Sequence, residues 1–176
     1  MPVKINVELA ERSYKISIGR DVLGNLGASC ARRKLGDACL LVSDAKVAPL
    51  YADRCEQSLR QEGFKVSRIV VPARESSKSG KWLTALYDAA LAHGMGRDSF
   101  MLALGGGVVG DLTGYAAATF MRGIRFVQAP TTLLAMVDSS VGGKTGINLP
   151  QGKNLVGAFH QPTAVYADLA TLDSLP

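Results

Sequence analysis

Three stretches of the 176-residue chain carry residue types suited to chemistry. The first is Leu104-Gly105-Gly106-Gly107-Val108-Val109-Gly110-Asp111. An apolar strand that runs into three glycines and then a helix brings bare backbone N–H groups to a phosphate, where side chains would block the approach. A tight strand–helix turn with close packing is the simpler alternative, but three adjacent glycines exceed what a turn requires. The spacing is not the GxGxxG of common dehydrogenases. Asp111 is either a partner for the helix dipole or a ligand for a ribose hydroxyl or the nicotinamide end of a dinucleotide.

The second stretch is Asp138-Ser139-Ser140-Val141-Gly142-Gly143-Lys144-Thr145-Gly146. Gly143-Lys144-Thr145 looks like the end of a Walker A loop. That pattern needs a glycine where Asp138 stands and a strand just upstream, where a helix is expected. What remains is a flexible loop presenting Lys144 to an anionic ligand, or a plain Asp138–Lys144 ion pair. The third stretch, Gln151-Gly152-Lys153-Asn154-Leu155-Val156-Gly157, sets a second lysine beside an amide. Lys144, Lys153, Asn154, Arg122 and Arg125 fall close together in sequence among turn residues, as a ligand with phosphate and carboxylate groups would require. Glu75 and Lys78, three apart, form a helix-start pair or, at the end of a central strand, bracket a ribose.

These residues need a frame. Val3, Ile5, Val7 and Leu9 alternate with polar residues, as do Tyr14, Ile16 and Ile18, which predicts an opening β-hairpin. Asp21 is expected to cap a helix over 21–34. Apolar runs predict strands over 38–42, 66–71, 100–104, 124–128 and 164–167. Helices are predicted over 48–62, 79–93 and 108–120, with a short one over 131–138. The glycine-rich, polar segment 139–157 reads as loop. Repeated alternation of strand and helix predicts the α/β class: a Rossmann-like, doubly wound, mostly parallel sheet with an N-terminal β-hairpin, in one domain over 1–176. Ligands bind such sheets beyond the C-terminal strand ends. That places Asp44, residues 72–78, the glycine triplet, Thr131 and Thr132 along one edge.

Composition narrows the function classes. With 47% hydrophobic and 20% charged residues the chain can bury a core and is not disordered. No apolar run is long enough for a membrane span, and the start has no signal-like apolar core, so a cytoplasmic location is expected. Cys30, Cys39 and Cys55 lack CxxC spacing and read as buried, reduced thiols. The net charge of +5 comes without a basic block or interleaved aromatics, which argues against nucleic acid. Arg32-Arg33-Lys34, the densest basic cluster, reads as favourable charge at a helix C-terminus.

Taken together, five stretches resemble the 3-dehydroquinate synthase family, within the sugar-phosphate cyclases. They are residues 105–111, Phe120-Met121-Arg122-Gly123, Pro130-Thr131-Thr132-Leu133-Leu134-Ala135, residues 138–148 and Lys153-Asn154-Leu155-Val156-Gly157-Ala158-Phe159. The resemblance implies that NAD lies against Asp44, Glu75, Lys78, Gly106, Gly107, Val108 and Asp111. Thr131, Thr132, Lys144, Lys153 and Thr171 complete that cradle. It also implies that Asp138, Lys144 and Asn154 hold an anionic sugar-phosphate substrate, 3-deoxy-D-arabino-heptulosonate 7-phosphate. Arg122 would reach the substrate phosphate of a neighbouring subunit, which implies a homodimer. The family also uses a divalent metal, zinc or cobalt, held by a glutamate and two histidines in a C-terminal helical domain. Those positions have no counterpart in this chain, so the resemblance implies NAD binding without turnover. Two departures fall at the adenosine end: Arg74 stands where the family has glycine, and Lys46 where asparagine is common. The alternatives are another cyclase, for instance one acting on sedoheptulose 7-phosphate, a glycerol dehydrogenase relative, or a non-catalytic nucleotide-binding module.

Overall fold

A computed structural model describes residues 2–175. The chain opens with the expected hairpin, β1 (Val3–Val7) antiparallel to β2 (Tyr14–Gly19). A short turn leads to α1 (Leu26–Arg32), and then β3 (Ala38–Asp44), α2 (Ala48–Gln61), β4 (Lys65–Val71) and α3 (Gly80–Ala92) alternate. They are followed by β5 (Phe100–Gly105), α4 (Gly107–Thr119) and β6 (Arg125–Pro130). After β7 (Lys144–Leu149) and β8 (Gly152–Phe159), β9 (Ala164–Asp168) completes the main sheet. Its order is β1-β2-β9-β6-β5-β3-β4, and every pairing except β1–β2 is parallel. The α/β class, the doubly wound sheet and the N-terminal hairpin are as the sequence predicts.

Burial explains the strand assignments. Every residue of β3 and β5 is buried, because helices cover both faces. On one face α1 and α2 enclose Leu26, Cys30, Leu41, Leu59, Leu102 and Tyr166. On the other, α3 and α4 enclose Leu40, Leu86, Met101, Leu112 and Phe126. The three cysteines are buried and unpaired. Burial pushes the Cys30 and Cys55 thiols up to about 12, so they stay protonated and unreactive at neutral pH. No helix among the described residues is long and apolar enough to cross a membrane.

Two sequence expectations fail. Asp21 does not cap the first helix: it sits in the left-handed region (φ 61°), and its carboxylate pairs with Arg54. A 3-10 turn, Val22–Asn25, precedes α1 instead. Asp168, at the end of β9, accepts the N–H groups of Asp21 (2.8 Å), Leu23 (3.1 Å) and Ala170 (3.0 Å). The cap is supplied from a distant strand, so local sequence does not reveal it. Segment 139–157 is not loop. It contains β7 and the start of β8, an antiparallel pair packed on α4. Glycines hid this pairing, yet they allow it. A Cβ at Gly114 of α4 or at Gly157 of β8 would overlap Thr145, and one at Gly146 would stand 2.6 Å from the Val156 carbonyl. The short helix is found, with a π-helical turn at Ala135–Ser139.

Candidate cofactor and substrate site

The β5–α4 turn lies at the C-terminal edge of the parallel strands. Gly106 is the N-cap of α4, in an extended conformation (φ −76°, ψ −173°), and no side chain caps the helix. The first N–H groups of a 13-residue helix therefore point outward without a side-chain partner. The two readings of the glycine triplet divide between its members. At Gly105 a Cβ would stand 2.7 Å from Val109 Cγ2, so this glycine serves packing. Gly106 and Gly107 are half-exposed. A Cβ there would stand 3.4 Å from Thr132 Cγ2 and 3.1 Å from Ser139 Oγ, closing the gap between the turn and the 131–139 segment. Thr131, hydrogen-bonded through its N–H to the Gly105 carbonyl, keeps a buried hydroxyl with no partner. Bare amides, a gap that a side chain would fill and an orphaned hydroxyl fit a dinucleotide phosphate.

Asp111, in the second turn of α4, is tied to Lys78. The buried Lys78 ammonium donates to Asp111 Oδ2 (2.6 Å) and to Asn154 Oδ1 (2.5 Å). Burial pushes the Asp111 carboxyl above the usual range, and Lys78 pulls it back. Lys78 and Glu75 are thus not a local helix-start pair. Glu75 Oε1 accepts from Asn148 Nδ2 (2.8 Å). Asn148 in turn accepts the Asn154 N–H on Oδ1 (2.9 Å) and donates its own N–H to the Lys78 carbonyl (2.9 Å). It staples the 72–78 loop to the β7–β8 hairpin and holds Asn154 in the left-handed region (φ 56°).

A cavity of about 480 Å3 opens beside α4, with Asp111, Asp138, Ser139, Lys144, Thr145 and Asn154 in its wall. Asp138, Lys144 and Asn154, from neighbouring stretches of the chain, meet there beside Asp111 of α4. Lys144 does so from the first residue of a strand, not from a flexible loop. No Asp138–Lys144 ion pair forms among the described residues; both groups face the cavity. Lys153 is exposed on β8 and is not in that wall. Arg122 and Arg125 do not join the lysines either. Arg122 (φ 68°) is exposed on the turn after α4, and Arg125 donates to the Lys34 carbonyl (2.7 Å). The chain crosses the sheet along β6 between the arginines and the lysines, so proximity in sequence misleads.

The remaining strand-end residues hold backbone. Asp44 Oδ1 accepts the N–H groups of Lys46 (2.8 Å) and Val47 (3.1 Å), which fixes the β3–α2 turn. Thr132 Oγ1 accepts the Ala135 N–H (3.2 Å), and Thr171 donates to the Asp168 carbonyl (2.7 Å). Val108 is half-buried in the first turn of α4. Sequence reasoning gave Asn148 no role. Pro150 and Gly152 between two apolar alternations were the available hairpin signal.

The family model for 3-dehydroquinate synthase N-terminal regions matches residues 68–176. The 3-dehydroquinate synthase of Desulforamulus reducens is 52% identical over 98% of this chain and 48% of its own length. The chain thus spans about half the length of the curated relatives it matches. A structure of 2-deoxy-scyllo-inosose synthase with carbaglucose-6-phosphate, NAD+ and Co2+ superposes with a TM-score of 0.91, at 30% identity, over 99% of this chain and 47% of that one. The 2-epi-5-epi-valiolone synthase of Streptomyces hygroscopicus subsp. jinggangensis, with NAD+ and Zn2+ bound, superposes at 0.82 and 32% identity over 98% of this chain and 47% of that one.

Proposed function

The chain belongs to the 3-dehydroquinate synthase family, and from that premise we propose that it is the NAD-binding part of an enzyme that turns 3-deoxy-D-arabino-heptulosonate 7-phosphate into 3-dehydroquinate. The observation that carries the reading is the uncapped glycine turn before α4, next to a cavity with Asp138, Lys144 and Asn154 in its wall. NAD bound at that turn would supply reversible oxidation of a substrate hydroxyl. Gly106 and Gly107 leave room for the pyrophosphate, and the bare amides of α4 neutralise it. The Thr131 hydroxyl offers a further hydrogen bond. Lys78 holds Asp111 in its charged form against burial, and the second oxygen of that carboxylate is free to accept from the cofactor.

Lys144 draws the acidic sugar into the cavity and Asp138 accepts from its hydroxyls. Asn154, with Oδ1 committed to Lys78, has its amide N–H groups free to donate to a substrate oxygen. Asp138, Lys144 and Asn154 would hold the sugar in place while a hydride passes from one hydroxyl-bearing carbon to bound NAD and later returns, and phosphate leaves by elimination. Arg122, exposed outside the cavity, would serve the site of a second copy in a homodimer. Among the described residues no three or more His, Cys, Asp or Glu side chains are grouped to hold a metal ion, so a metal would take its ligands elsewhere. The chain alone is accordingly expected to bind NAD without releasing phosphate. A second reading, a cyclase for another sugar phosphate, draws support from the likeness to 2-deoxy-scyllo-inosose synthase.

Calorimetric titration of NAD into this chain tests the reading. One site per chain is expected. No binding heat at about 1 mM NAD, an affinity of only about 4 kcal/mol, would remove the cofactor assignment.

A further inference from the structure

A second concavity, of about 240 Å3, lies between the N-terminal hairpin and the end of α1. Its lining is Lys4, Lys15, Ser17, Ser29, Arg32 and Arg33. Lys4 and Ser17 are cross-strand partners in the β1–β2 pair, and Lys15 is two residues along β2 on the same face. Ser29 and Arg32 come from α1, with Arg33 at its C-cap. Four of the six residues are cations and none is acidic. None of the four forms an ion pair among the described residues, whereas Arg20, Arg54, Arg60, Arg68 and Lys78 all do. A helix C-terminus accounts for Arg32 and Arg33. It does not account for two lysines brought to the same hollow by the hairpin.

The neutral groups add donors. Tyr166 donates its hydroxyl proton to Ser29 Oγ (2.6 Å), which leaves the Ser29 proton free to be given to a ligand. Ser17 is only 8% exposed, and its hydroxyl has no partner among the described residues. Arg33 Nε is buried and unpartnered. A buried guanidinium N–H without an acceptor is costly unless a ligand supplies one. Free N–H and O–H donors among four positive charges match the oxygens of a tetrahedral dianion. The hollow is large enough for a phosphate group with a short carbon chain. No aromatic ring lines it, so it has no platform for stacking a base.

Its location separates it from the cavity beside α4. Lys15 pairs with Ala164, the first residue of β9, so the hollow is at the N-terminal edge of the parallel strands. It is also on the face covered by α1, opposite that covered by α4. We propose that it is a binding site for a small phosphate-bearing anion, either inorganic phosphate or a phosphate monoester.

The test is a titration of the isotope-labelled chain with inorganic phosphate and, separately, with glycerol phosphate, at ionic strength held constant with chloride. Backbone amide resonances of Ser17, Ser29 and Arg33 are expected to shift with saturation. In the double variant Lys15→Gln/Arg32→Gln, at two exposed positions, the half-saturation concentration is expected to rise about tenfold or more, with NAD titration unchanged. Stronger binding of the monoester assigns a phosphorylated metabolite, and stronger binding of phosphate assigns the free ion. Unmoved resonances at these three residues, equal titration of the double variant, or response to a duplex oligonucleotide but to neither small anion would each overturn the proposal.

Discussion

Replacing Lys78 by methionine removes one charge and keeps the shape of the side chain. The Lys78 side chain is 5% exposed, and that of its partner Asp111 is 21% exposed. Breaking a buried pair from one side costs about 3–5 kcal/mol, because the other charge stays behind without compensation. The partial exposure of Asp111 puts the expected loss at the low end, about 3 kcal/mol. In a chain of this size each kcal/mol moves Tm by about 2–4 °C, so the variant should melt roughly 6–12 °C lower in a calorimeter. Burial raises the folded-state pKa of Asp111. The stability this group contributes is therefore complete in acid and is lost as pH rises through that pKa. Without Lys78 the opposing pull is gone and the pKa climbs further. As pH falls the lone Asp111 takes up its proton sooner than the paired one, so the Tm deficit should be smaller in acid than at about pH 8. Adding Asp111→Asn to Lys78→Met should restore most of the loss, since no unpaired charge remains. A deficit under roughly 3 °C, or one of equal size in acid and at about pH 8, would refute the buried-pair account.

Gly106→Val should weaken NAD binding about tenfold or more by filling the gap beside Thr132, with the circular dichroism spectrum unchanged; equal affinity would count against the phosphate cradle. Asn148→Ala should speed amide exchange at Asn154 about tenfold, the loss of one hydrogen bond worth about 1 kcal/mol or slightly more, and unchanged exchange would show that the staple is unnecessary. In the full-length enzyme Lys144→Ala should abolish turnover and leave the NAD titration nearly as it was; retained turnover would take Lys144 out of the substrate site.

Burial made most of the fold readable. Runs such as Cys39-Leu40-Leu41-Val42 and Phe100-Met101-Leu102-Ala103-Leu104 are apolar because both of their faces are covered, and that pattern is local. The β7–β8 hairpin escaped because its packing relies on absent side chains. Gly146 and Gly157 let two backbones meet and contribute nothing to an apolar count. Around the site, the residue types were legible but their partners were not. Lys78 pairs with Asp111 across 33 positions and with Asn154 across 76, distances at which spacing carries no information. Arg122 and Arg125 show the converse: close in sequence to the lysines, they do not line the cavity because β6 carries the chain across the sheet.

The pairing of β2 with β9 has a consequence for synthesis. The β1–β2 hairpin joins the sheet only through β9, the last strand of that sheet in chain order, and the Asp168 carboxylate that fixes the following turn is 147 positions from the Asp21 N–H it accepts. While the ribosome is still producing the middle of the chain, Tyr14 and Ile16 have no Val165 to pack against. Closure of so distant a contact pays its loop entropy late, which places the assembly of this edge among the slow, non-local steps of folding. A nascent chain stalled before residue 164 would display an unfinished β2 edge, ready to recruit a strand from another molecule.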